Sequence, residues 1–119
     1  MELRDLYNEN KELTGKTIYK GQDVPKGHYY ITVVIFIQNG KNEFLIQKRV
    51  KKNGKWATTG GHPISGETSK QGIITEIKEE LGINVIEQNI KLLKTIKTKD
   101  DFVDIYYLRE DIDIKKIKI

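Results

Sequence analysis

Strand-forming segments on both sides of one amphipathic helix place this 119-residue chain in the α/β class, as an α+β fold or a layered α/β/α sandwich. Two observations carry that expectation. Residues 30–37 (YITVVIFI) form an almost unbroken apolar, β-branched run, as in a central strand covered on both faces. Residues 68–81 instead set Ile73, Ile74, Ile77 and Leu81 within an arc of about 100° on a helix, the apolar stripe of a helix packed on a sheet.

The remaining elements follow from turn and breaker signals. Asn39-Gly40-Lys41-Asn42 is a turn, and residues 44–50 return as the partner of the first strand. After a lysine-rich loop containing Gly54, residues 56–59 form a short strand leading into a loop marked by Gly60, Gly61 and Gly66. Gly82 supplies the C-terminal cap of the helix. Residues 83–86 and 90–98 read as strands, and Lys99-Asp100-Asp101 turns into a strand over residues 102–108. No repeat or low-complexity linker interrupts this order, and residues 1–119 are expected to form one domain with one core.

Composition narrows the partners. The net charge of +4 comes from scattered lysines, which helps attract a polyphosphate. No basic cluster is interleaved with aromatics, so a nucleic-acid polymer is not expected as a partner. The absence of cysteine excludes disulfides, thiolate metal sites and cysteine nucleophiles. Met1-Glu2-Leu3-Arg4-Asp5 has no apolar core for a signal peptide and no run reaches membrane-spanning length, so a cytoplasmic protein without a membrane partner is expected.

The chemistry concentrates on the helix. Glu76, Glu79 and Glu80 stand at i, i+3 and i+4, where like charges repel by a few tenths of a kcal/mol per pair. Glu79 and Glu80 also precede Gly82, at the end where the helix dipole disfavours anions. An isolated acidic triplet of this kind reads first as a solvated face. Behind a glycine-rich loop, the double conflict marks function, and Mg²⁺ or Mn²⁺, hard cations that take oxygen ligands, would turn repulsion into coordination.

Residues 61–83 resemble the Nudix box: Gly61, five residues, Glu67, seven residues, position 75, then Glu76, an aliphatic residue, Glu79, Glu80, Gly82 and Ile83 stand in its order. Thr75 is the departure, since the box has arginine there. The resemblance selects a Nudix-type α/β/α sandwich with a mixed sheet, here without the C-terminal strand and second helix usual in the family. It implies a Mg²⁺- or Mn²⁺-dependent hydrolase that cleaves a diphosphate linkage in a nucleoside diphosphate derivative or similar small phosphoanhydride. Glu76, Glu79 and Glu80 match the metal-holding glutamates, and the Gly60 carbonyl lies where a further ligand is often added. Glu76 or Glu79 orients or deprotonates the attacking water, while Gly61, Glu67 and Gly82 are structural, Glu67 bracing the loop. Arg49, with Lys48 beside it, is the candidate diphosphate contact, by bidentate binding of phosphate oxygens. Asp101 and Asp104 are candidates for a further outer carboxylate, with Asp100-Asp101 otherwise only turn residues. An apolar sheet face left bare by the short C-terminal end is expected to be covered in a homodimer.

Flanking segments, among them Gly27-His28-Tyr29-Tyr30 and Gly60-Gly61-His62-Pro63, are similar to the Nudix subgroup related to isopentenyl diphosphate isomerase. Isomerase chemistry is the lesser alternative, because the catalytic cysteine would fall at Gly60. Its metal-binding histidines would fall near Tyr30 and Val34, with only His28 nearby. His62 is read as a loop-ordering residue. A Nudix-like module that binds a nucleotide without turnover is the other alternative, left open by Thr75.

Overall fold

The computed structural model describes residues 2–49 and 55–113, with the backbone alone described at 48, 49, 55 and 56. In chain order the elements are β1 (Leu3–Tyr7), β2 (Leu13–Tyr19), β3 (Tyr30–Gln38), β4 (Gln47–Arg49), β5 (Lys55–Ala57), β6 (Thr59–Gly61), α1 (Ser69–Leu81), one 3-10 turn (Glu87–Asn89), β7 (Lys91–Lys97) and β8 (Asp101–Arg109). The central sheet runs β6-β3-β8-β7. β3 and β8 are parallel and the two outer pairs antiparallel, so the sheet is mixed.

Strand alternation decides which face α1 covers. The parallel register sets Ile31 beside Phe102, Val33 beside Asp104, Ile35 beside Tyr106 and Ile37 beside Leu108. Because side chains alternate across a strand, these eight share one face, and all are buried. Ile73, Ile77 and Leu81 of α1 join the same core, with Ile74 partly buried at its edge. Each such aliphatic side chain contributes roughly 1.5–3 kcal/mol through removal from water.

Local signals fix both ends of α1. Thr68 caps it, accepting from Gln71 N, while the Gln71 side chain accepts from Thr68 N in a reciprocal capping box. At the other end Gly82 adopts a left-handed conformation (φ 72°) and its N–H reaches Lys78 O.

Several expected elements are redrawn. Residues 83–86 are not a strand: Ile83 and Val85 turn inward and pack on the core, so their alternation plugs a gap instead of pairing. The segment expected at 44–50 is a strand only at Gln47–Arg49 and pairs with β5; it touches β3 through one bridge, Gln38 to Phe44. Val50 lies outside the described residues. The strand expected at 56–59 splits at Thr58 into β5 and β6, which serve different sheets. β3 was expected to be covered on both faces, yet Phe36 on its second face is 37% exposed. Among the described residues α1 is the one α-helix, and it occupies the other face. No helix among them is long and apolar enough to cross a membrane.

The hairpin of β1 and β2 had no sequence assignment, because polar residues interrupt its apolar alternation. It joins the body through a reciprocal pair, Tyr7 N to Tyr29 O at 2.7 Å and Tyr29 N to Tyr7 O at 2.9 Å.

Candidate active site

The second half of α1 runs over β6, and its carboxylates meet the glycines there. The Glu76 carboxyl lies against Gly61 so closely that a Cβ at position 61 would stand 2.4–2.6 Å from its three carboxyl atoms. A side chain there would displace the Glu76 carboxyl from this seat. One turn on, Glu80 accepts from Gln47 Nε2 at 2.8 Å and from Gly60 N at 3.3 Å. Gln47 is buried and also donates to Thr59 Oγ1 at 3.3 Å.

Burial, then the charges of Glu80 and Glu79, then a hydrogen bond with Glu80 raise the Glu76 carboxyl from about 4.5 to about 8. Near neutral pH the pair therefore shares a proton. The third box glutamate, Glu79, is exposed. Among the described residues no three Asp, Glu or His side chains converge to hold a metal ion as they stand. By donor type the Glu76–Glu80 pair fits a divalent cation: two carboxyls side by side, one kept protonated by its neighbour, are hard oxygen donors with unrelieved repulsion. Gly60 reaches this pair through its N–H, whereas a carbonyl contact was expected.

The loop between β6 and α1 is tied down by acceptors. Glu67 precedes the helix. It accepts from Ile64 N at 2.9 Å and from Thr75 Oγ1 at 2.7 Å, so the residue that replaces the box arginine holds Glu67 through an uncharged donor. Asp5 of β1 accepts from Ser65 Oγ at 2.6 Å and Gly66 N at 3.0 Å, beside Ser65 N to Leu3 O at 2.7 Å. His62 stands with Nδ1 3.2 Å from Thr32 Oγ1 and 3.3 Å from Ile31 O. Thr32 itself donates to Asp101 at 2.6 Å, which makes His62 the donor to both oxygens. Burial, then Arg4, lower the His62 pKa.

Asp104, an alternative outer carboxylate, is instead fully buried under the start of α1. It accepts from Lys11 Nζ at 2.7 and 2.8 Å, Ser69 Oγ at 2.5 Å and Thr95 Oγ1 at 2.6 Å. Asp101 opens β8 and binds Thr32 and Thr98, so it is not only a turn residue. The side chains of Lys48 and Arg49 lie outside what is described. Gln47, Thr59, Asp5 and Lys11 were not anticipated. A signal existed for Asp104, whose period-two spacing puts it in phase with Phe102 and Tyr106 on the buried face.

The site is thus a glycine-seated carboxyl pair on a helix packed against a mixed sheet. The chain matches the NUDIX domain over residues 28–116. It is 33% identical over 124 residues to an uncharacterized Nudix hydrolase of Listeria innocua, covering all of this chain and 73% of that protein. A 68-residue match, 32% identical, relates 57% of the chain to 45% of the dihydroneopterin triphosphate diphosphatase of Escherichia coli K12. The crystal structure of DR0079 from Deinococcus radiodurans superposes with a TM-score of 0.72 at 25% identity, over 94% of this chain and 73% of that one. The chain belongs to the Nudix family, hydrolases that act on phosphoanhydrides.

Proposed function

We propose that this chain is a Mg²⁺-dependent hydrolase, Mn²⁺ substituting, that cleaves a diphosphate linkage in a nucleoside diphosphate derivative or similar small phosphoanhydride. The observation that carries the reading is the Glu76–Glu80 pair seated on Gly60 and Gly61, with Glu76 raised to about 8. A divalent cation, when bound, neutralises charge on the phosphates as the bond to the leaving group breaks. Glu76, Glu79 and Glu80 would hold it, with Gly60 beside them. The Glu76–Glu80 pair gives up its shared proton on loading, and Glu76 or Glu79 orients or deprotonates the attacking water. Glu67 keeps the loop in place, and Arg49 with Lys48 contacts the diphosphate. The related Escherichia coli enzyme is named for a triphosphate substrate, which supports a small nucleotide-like substrate here. The reading takes residues 1–119 as one cytoplasmic domain that pairs as a homodimer through the sheet face opposite α1, where Phe36 and Ile96 are exposed; light scattering tests the pairing.

The isomerase reading is disfavoured twice. The chain has no cysteine, and a Cβ at position 60 would lie 2.6 Å from the Val33 carbonyl oxygen, so β6 has no room for a catalytic side chain there. A binding module without turnover draws support from the exposed Glu79 and the unconverged glutamates. Product release from a panel of phosphoanhydrides with and without Mg²⁺ separates the readings. Hydrolysis that requires Mg²⁺ and collapses in Glu80→Gln supports the hydrolase; tight nucleotide binding with no release supports the module.

A further inference from the structure

We propose that Asp5 is a positioning residue of the glutamate site, through which the N-terminal hairpin sets the loop between Gly61 and the start of α1. The inference rests on the hydrolase reading for its biological sense but not for its geometry. The hairpin strands lie outside the stretch matched to the NUDIX domain, which begins at residue 28. They nevertheless hold that domain's loop at two consecutive residues, Ser65 by its N–H and hydroxyl and Gly66 by its N–H.

The hairpin presenting Asp5 is itself anchored to the sheet that carries the site. Tyr7 is bridged to Tyr29, immediately before β3, and Lys11 at the hairpin turn reaches Asp104 of β8. Asp104 in turn accepts from Ser69, the first residue of α1. Loop, helix start and β6 are thereby referred to one frame, and the seat of Glu76 at Gly61 lies at the other end of the held loop.

Exposure separates positioning from folding. Gly66 is exposed and Ser65 half-buried, so without Asp5 their donors can turn to water at small cost to the fold. What is lost is the fixed course of the loop. Asp104, fully buried beneath a half-exposed Lys11, lacks that escape, which makes it a fold determinant and Asp5 the residue to test.

The test uses the full chain, with Mn²⁺ alone as the probe. In Asp5→Ala, Mn²⁺ affinity is expected to fall about tenfold, the equivalent of one charge-assisted hydrogen bond. Amide exchange at Ser65 and Gly66 should accelerate, while the metal-free melting temperature stays close to that of the native chain. Asp5→Asn, which keeps one acceptor oxygen, should recover part of the affinity, a rescue that a purely structural role would not give. Native Mn²⁺ affinity in Asp5→Ala overturns the proposal, as does a lowered melting temperature with unchanged loop exchange. Should Asp5→Ala fail to fold, Ser65→Ala removes the hydroxyl partner alone; about threefold weaker Mn²⁺ binding is expected, and none overturns the proposal. If the native chain binds Mn²⁺ but hydrolyses no phosphoanhydride, the hydrolase reading falls while these measurements still decide the role of Asp5. A native chain that binds no Mn²⁺ overturns both.

Discussion

Two carboxyl groups sit beside the same helix under opposite conditions. Asp104, under its start, is wholly removed from solvent and accepts hydrogen bonds from an ammonium and two hydroxyls. Glu76, near its end, is only half-buried, faces Glu79 and Glu80, and is pushed up to about 8. The more buried group is the better satisfied. Partners, not depth, separate a carboxylate that holds a fold together from one left in want of a proton or a cation.

The largest effect that can break this contrast is on turnover. Glu76→Gln should reduce hydrolysis by about 10²–10⁴-fold, the range for loss of a positioned acid–base group, without destabilising the metal-free chain. A variant that loses activity only by unfolding, judged by circular dichroism, would place Glu76 with Asp104. Next, Lys11→Met leaves buried Asp104 without its counter-charge, held only by the Ser69 and Thr95 hydroxyls, and should cost about 3 kcal/mol in urea unfolding. The double change Lys11→Met with Asp104→Leu should regain much of it, since an apolar pair needs no counter-charge.

A smaller effect is expected with pH. The folded-state pKa of Glu76 is raised above its value of 4.5 in the unfolded chain, so its contribution to stability is fully present below that value and lost as pH rises through about 8. Metal-free melts from pH 5 to 9 should show this decline, and Glu76→Gln should flatten it. The smallest effect belongs to position 75. Thr75 already holds Glu67 through an uncharged donor, so Thr75→Arg adds only charge complementarity, a few tenths of a kcal/mol on a helix surface. About a twofold lower Mg²⁺ requirement with a modest rise in kcat is expected; kinetics titrated in Mg²⁺ that show neither would mean the threonine is compensated elsewhere.

Period and capping made α1 readable to within a residue at its start, because Thr68, Gln71 and Gly82 act locally. The continuous run at β3 was readable as a strand but not for its burial, since sequence carries no information on which face finds a partner. Residues 83–86 misled because inward apolar alternation looks the same whether a segment pairs or plugs. At the candidate site, the spacing set the glutamates on neighbouring turns of one helix, and the structure brings Glu76 and Glu80 together while leaving Glu79 exposed. Gln47 was not, for its partner Glu80 lies 33 positions away and a polar residue in a short strand carries no local signature. Asp5 and Lys11 were hidden for the same reason: they act across the fold, on Ser65 and Asp104.

The central claim is that the Glu76–Glu80 pair surrenders a proton to take up a divalent cation. Calorimetric Mn²⁺ titration at pH 7, repeated in buffers of different ionisation enthalpy, measures that exchange directly. The native chain should bind Mn²⁺ and release a proton in doing so, and Glu76→Gln should bind more weakly and release none. Binding with no proton released by the native chain, or equal release by both proteins, would contradict the account.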